Sequence, residues 1–110
     1  LNNNLRFTIG TINIAQTPLP VELLNFEAVY KNDAVHTEWQ TASETNNHFF
    51  TVEKSNDGKN FSVAGMIDGV GNSSTLKKYK FIDKYHFEGI SYYRLKQTDF
   101  NGNFKYSRIV

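Results

Sequence analysis

The residues with side chains suited to chemistry are few, and their spacing decides how far each can be taken. The three histidines, His36, His48 and His86, form no pair two or four apart. No single strand or helix face would therefore present two imidazoles to a metal ion. The chain has no cysteine, which removes disulfides, thiolate zinc sites and a Cys nucleophile together. Serines are plentiful, yet none sits in a nucleophile elbow or in a readable relation to a histidine. Glycosidase-type carboxylate pairs come from distant positions and leave no local signature. A small chain without a sizeable insertion has little with which to enclose a substrate. The expectation is a non-enzyme that needs no cofactor and no metal.

Three further runs have structural explanations. Asp99-Phe100-Asn101-Gly102-Asn103 opens like a calcium loop, but position twelve of such a loop needs a bidentate Glu. Here that position is Val110, so a hairpin turn with a left-handed glycine is expected, and the same holds for Asp57-Gly58. Gly65, Gly69 and Gly71 do not cradle phosphate, since no helix and no Lys-Ser/Thr follow them. They read as a flexible crossover between strands. Asn60-Phe61-Ser62 and Asn72-Ser73-Ser74 match the glycan sequon, which matters only in a eukaryotic secretory pathway.

One constellation could bind. In YYRLKQTDFNGNFKYSRIV (92–110) aromatics and charges alternate on both sides of a turn. If Tyr93 and Leu95 point inward, Tyr92, Arg94 and Lys96 point outward. The same parity in the third strand turns Phe49, Thr51 and Glu53 out. Glu53 would pair with Arg94 or Lys96, and Phe49, Tyr92 and one of Phe104 or Tyr106 would lie nearby as exposed rings. The candidate ligand-binding face is Phe49, Glu53, Tyr92, Arg94 and Tyr106. An ordinary amphipathic sheet face explains the same pattern; a platform for sugar rings or a partner protein is the sharper alternative.

These residues need strands to position them, and period-two alternation supplies them. Leu24, Phe26, Ala28 and Tyr30 share one face of a first strand, and Val35, Thr37 and Trp39 one face of a second. Phe50 and Val52 mark a third, Phe61, Val63 and Ile67 a fourth, Tyr79 and Phe81 a fifth. Tyr93, Leu95 and Gln97 mark a sixth, and residues 103–109 a seventh. Asn, Asp and Gly clusters at 31–33, 55–60 and 99–103 punctuate them. Ser43 is placed to cap a single helical turn over 43–47. Seven short strands predict an all-β, antiparallel two-sheet sandwich, with Phe26, Trp39, Val52, Phe81, Tyr93 and Leu95 as core. Glu44, following Trp39, is expected to hold a salt bridge or accept backbone N–H bonds.

The chain has 110 residues, 39% hydrophobic and 15% aromatic, with nine Phe, six Tyr and one Trp. That composition suits one domain with a real core. A net charge of +1 gives no basic concentration for nucleic acid or anionic membrane. No apolar run approaches the ~20 residues of a spanning helix. The sole Met is Met66 and the first residue is Leu1, so the chain reads as a piece of something longer. Pro18-Leu19-Pro20 resists regular pairing and marks a boundary. Residues 1–17 are expected to be a linker or the extended tail of a preceding domain, and 18–110 the sandwich.

With the strands placed, Trp39 and Tyr93 resemble the hallmark core aromatics of fibronectin type III modules. More closely, PLPVELLNF (18–26), WQTASETNNHFFTVEKSNDGKNF (39–61), GVGNSSTLKKYKFID (69–83) and the closing 92–110 resemble one immunoglobulin-like module. It is the one preceding the C-terminal sorting domain in surface or secreted proteins of Gram-negative bacteria using type IX secretion. The resemblance implies a sandwich, export through the periplasm to the cell surface or medium, and an accessory role as spacer or interaction unit. The implied partners are neighbouring domains of the same polypeptide, with a polysaccharide or a surface protein as further candidates. Carbohydrate binding on the aromatic face is the alternative function.

Overall fold

The computed structural model describes residues 21–110. The expected tail over 1–17 and the boundary at Pro18–Pro20 lie outside the described residues. Six strands follow: β1 (Glu22–Lys31), β2 (Ala34–Ser55), β3 (Ser62–Ser73), β4 (Lys77–Asp83), β5 (Tyr92–Asp99) and β6 (Phe104–Tyr106). Every pairing is antiparallel, and among the described residues there is no helix. Among the described residues no helix is long and apolar enough to cross a membrane.

The 22-residue β2 organises the whole. Its first half pairs with β1 on one side and β4 on the other. Its second half pairs with β3 and β5, and β5 continues to β6. A single antiparallel sheet thus curls over its own core. Six strands replace the expected seven because the second and third run on as one. The helical turn expected at 43–47 is also absent. Register shifts at Glu44/Asn47 and Asn47/Phe49, with Asn46 at φ 53°, turn the strand without interrupting it. The polar groups freed there find partners elsewhere. Phe100 N–H donates to Asn46 O at 3.0 Å, and Asn46 N–H donates to Asn72 Oδ1 at 3.1 Å.

Bulges also revise the predicted faces. Leu23 pairs with Thr41 and Asn25 with Gln40, so Leu24 is the extra residue and is pushed into solvent. Leu23 packs on the core in its place. Phe26 and Ala28 keep the inward face, while Tyr30, at the strand's end, is exposed. In β3, Val52 faces Gly65 but Glu53 faces Val63. That irregularity places Ile67 against the core and Val63 in solvent.

Gly65 and Gly69 belong to β3 and not to a crossover. A Cβ on Gly65 would lie 2.3 Å from the Phe81 ring, and one on Gly69 would lie 2.8 Å from the Asn47 backbone oxygen. Each glycine is therefore a point of close approach between strands.

The turns follow the expected chemistry. Asn32 and Asp33, both at positive φ, close the two-residue β1–β2 hairpin. Gly102, at φ 92°, closes the β5–β6 turn, with Asp99 N–H donating to Asn103 O at 2.8 Å. The seventh expected strand shortens to β6, yet the chain stays tied to β5 as far as Val110. Ser107 N–H donates to Leu95 O at 2.9 Å, and Tyr93 and Val110 exchange backbone bonds of 3.0 and 2.9 Å.

At the centre, Trp39 lies edge-on to Phe26 (6.1 Å) and Phe50 (5.5 Å) and stacks on Tyr79 at 5.6 Å. Phe26, Trp39, Val52, Tyr93 and Leu95 are buried with Phe50, Val21 and Val35. Phe81 is only half-buried and packs against this group.

Candidate functional site: an outer aromatic face and two buried carboxylates

The register of β2, β5 and β6 defines the outer face row by row. Phe49, Thr98 and Phe104 form one row, Thr51, Lys96 and Tyr106 the next, and Glu53 with Arg94 a third. Tyr92, opposite Ser55, ends the series. From Phe49 to Ser55 is six residues, about 20 Å of strand. The five candidates therefore share a face without forming one platform.

Glu53, Arg94 and Tyr106 do meet. Arg94 Nε donates to Glu53 Oε1 at 2.7 Å. The Arg94 guanidinium also lies 4.0 Å from the centroids of both Phe61 and Tyr106. Lys96 Nζ covers Phe104 at 4.2 Å. Cations thus lie over Phe61, Tyr106 and Phe104, and such contacts contribute about 0.5–1 kcal/mol at exposed sites. Phe104 and Tyr106 remain 50% and 47% exposed. Phe61, expected on the inward side, is the ring the sequence reading missed; only the β3 irregularity brings it to this face.

Tyr92 packs on the β2–β3 turn, 3.7 Å from where a Cβ on Gly58 would stand. Phe49 lies at the other end, edge-on to His48 at 4.9 Å, and His48 stacks on Phe100 at 4.6 Å. His86 meets Tyr30 edge-on at 5.1 Å. Among the described residues no group of three His, Cys, Asp or Glu side chains converges as metal ligands would. Asp57 serves its own turn. It accepts from Ser55 Oγ and from the Lys59 and Asn60 amides, each at 2.8 Å, and these bonds hold its carboxyl well below the usual range.

The more unusual chemistry is inside. Glu44 is 2% exposed. Its carboxylate accepts from Thr41 Oγ1 (2.8 Å), Asn47 Nδ2 (2.8 Å), the Val70 amide (3.2 Å) and the Tyr79 hydroxyl. Burial alone would raise its pKa, but bonds from Tyr79, Asn47, Thr41 and Val70 outweigh burial and hold it below the ordinary value. Asn47 in turn accepts from Gln97 Nε2 at 3.0 Å, extending the network into β5.

Asp83 is 3% exposed. It accepts from the Tyr93 hydroxyl at 2.7 Å and the Tyr85 amide at 3.0 Å, and Lys54 Nζ stands 3.2 Å away. Burial opposes its ionisation, while Tyr93, Tyr85 and Lys54 together depress its pKa. Both tyrosines are pushed up, first by burial and then by the carboxylate each one binds.

Glu44 was legible as a structural acid, though its donors were not. Asp83 was missed, although it shares the inward parity of Tyr79 and Phe81. An acid at such a position is the signal that would have found it.

No protein-family model matches the chain, and no curated protein matches it. Among solved structures it is similar to the pectate lyase Pel3 from Pectobacterium carotovorum, with TM-score 0.59 and 15% identity. The match covers 80% of this chain and 25% of that one. The likeness is one of fold, and it spans a quarter of the enzyme's length.

Proposed function

We propose that the chain is a non-catalytic, fibronectin type III-like module that acts as spacer or interaction unit in an exported bacterial multidomain protein. In this reading β1, the first half of β2 and β4 are one layer of an immunoglobulin-like sandwich. The second half of β2, with β3, β5 and β6, is the other layer, so that β2 supplies two of the seven strands.

The observation that carries it is the use made of the buried acids. Glu44 takes donors from both layers, Val70 on β3 and Tyr79 on β4, and Asp83, on β4, is held by Tyr93 and Lys54 from the opposite layer. Carboxylates arranged this way hold layers together. The fold likeness to a quarter of a pectate lyase chain supports a unit carried within longer proteins.

Fractionating cells that make the parent polypeptide tests the reading. It should reach the surface or the medium, and deleting 21–110 should leave the chemistry of the remaining domains intact while lowering their stability or retention. A cytoplasmic parent, or one with no other domain, would overturn it.

The carbohydrate-binding alternative draws on the half-exposed Phe104 and Tyr106 beside Arg94 and Glu53. Titration with a polysaccharide panel, followed by amide shifts, tests it. The cations already stacked on both rings argue for the structural use of that face.

A further inference from the structure

A sizeable cavity lies away from the aromatic face, at the end of the fold formed by the β1–β2 hairpin and the 84–91 loop. It is an open groove of about 650 Å³, lined by Ala28, Val35, Tyr93 and Val110 toward the core and by Tyr30, His86, Glu88 and Ile90 at its mouth. That volume falls in the range of ligand sites, roughly 300–1,000 Å³. Ile90, 66% exposed, presents apolar surface at the mouth. Exposed apolar patches of this kind mark interaction sites.

The charge is one-sided. Among the lining residues Glu88 is the only carboxylate, and no Lys or Arg lines the groove. Asp33 stands beside it, accepting from the Tyr30 hydroxyl at 3.2 Å. Among the described residues neither Glu88 nor Asp33 is in an ion pair. The Asp33 hydrogen bond, then its charge, pushes the Tyr30 pKa up. Lys31 and Lys84 flank these segments in sequence but do not line the groove. The edge-on Tyr30–His86 pair adds aromatic surface that attracts a cation.

We propose that this groove binds an extended polypeptide segment carrying a lysine or arginine between apolar side chains. The apolar residues sit over Ala28, Val110 and Ile90, and the cation lies among Tyr30, Glu88 and Asp33. The proposal rests on the reading of the chain as an interaction module, and names the chemistry of the partner.

Amide shifts of the 110-residue chain, titrated with acetyl-Leu-Lys-Leu-amide, provide the test. Saturable shifts are expected at Tyr30, His86, Gly89 and Ile90, at least about fivefold weaker with the Leu-Glu-Leu peptide, and weakened by salt. Acetyl-lysine amide alone should bind about tenfold more weakly, because it lacks the apolar contacts. Glu88→Gln should remove most of the Lys-over-Glu preference, and Ile90→Lys should abolish binding; both positions are exposed, so folding is not at stake. No saturable shift at about 10 mM peptide, where a Kd near 1 mM would saturate, equal binding of the two peptides, or shifts confined to other faces would overturn it. Binding by a chain whose parent proves cytoplasmic would sink the accessory reading alone. A multidomain exported parent without binding would sink the groove alone.

Discussion

Glu44 and Asp83 solve the same problem in different ways. Both are carboxylates held below their usual pKa in the interior. Glu44 is stabilised entirely by neutral donors, four of them, from β2, β3 and β4. Asp83 takes two neutral donors and a cation, Lys54, whose side chain is 12% exposed. The first network is built into the bend of β2. The second joins β4 to β5 and reaches the surface through Lys54. A buried charge therefore does not need an opposite charge; it needs enough aligned donors, and the backbone bend at Asn46 and Asn47 supplies the geometry.

The difference sets an order of effects. Glu44→Ala should be the most damaging change, because it leaves the Thr41, Asn47, Tyr79 and Val70 donors unpaired in a dry interior. A loss of about 3–5 kcal/mol is expected in urea unfolding. Asp83→Ala should cost less, about 2–3 kcal/mol, since Lys54 can turn to water while only Tyr93 and the Tyr85 amide lose a partner. Equal losses for the two would show that the cation makes no difference.

Gly69→Ala attacks the Glu44 network indirectly. The new methyl would press on Asn47, whose backbone oxygen lies 2.8 Å away, and about 1–3 kcal/mol should follow. Gly65→Ala meets only the Phe81 ring, which can swing, and should cost less.

Acid provides a comparison without mutation. Both folded-state pKa values are depressed, so the unfolded chain binds protons more readily. The stability from each carboxylate is complete above the unfolded values near pH 4 and is lost as pH falls through the folded ones. Melting followed from about pH 7 to 2 should show this limb. Asp83→Asn, which keeps the shape of the side chain but cannot ionise, should flatten it in part. Added salt should weaken the Asp83 contribution more than that of Glu44, because only the former depends on a cation that touches solvent. The smallest effect belongs to the outer face: Glu53→Ala should cost about 0.5–1 kcal/mol and leave both internal networks unchanged.

Parity made much of the architecture readable. Phe26, Trp39, Val52, Tyr93 and Leu95 alternate as buried strand residues must, and opposite parity brought Glu53 and Arg94 to one face. Parity failed at Leu24, which sits in a bulge, and at Val63 and Phe61, which a bulge separates from Gly65 and Ile67, because one extra residue reverses the faces on its two sides. Ser43-Glu44-Thr45-Asn46-Asn47 misled for a related reason. Its polar residues suit a turn in isolation, but Glu44 and Asn47 are buried by partners from distant segments.

The sequence alone determined that the chain would be extended, antiparallel and punctuated at its Asn, Asp and Gly turns, since side-chain alternation and positive-φ preference are local properties. Tertiary structure decided where β2 bends, which glycines admit a neighbour, and which acids are taken inside. Those outcomes depend on donors and close contacts from residues far along the chain, 35 positions away between Glu44 and Tyr79 and 50 between Asn47 and Gln97, and no local pattern contains them.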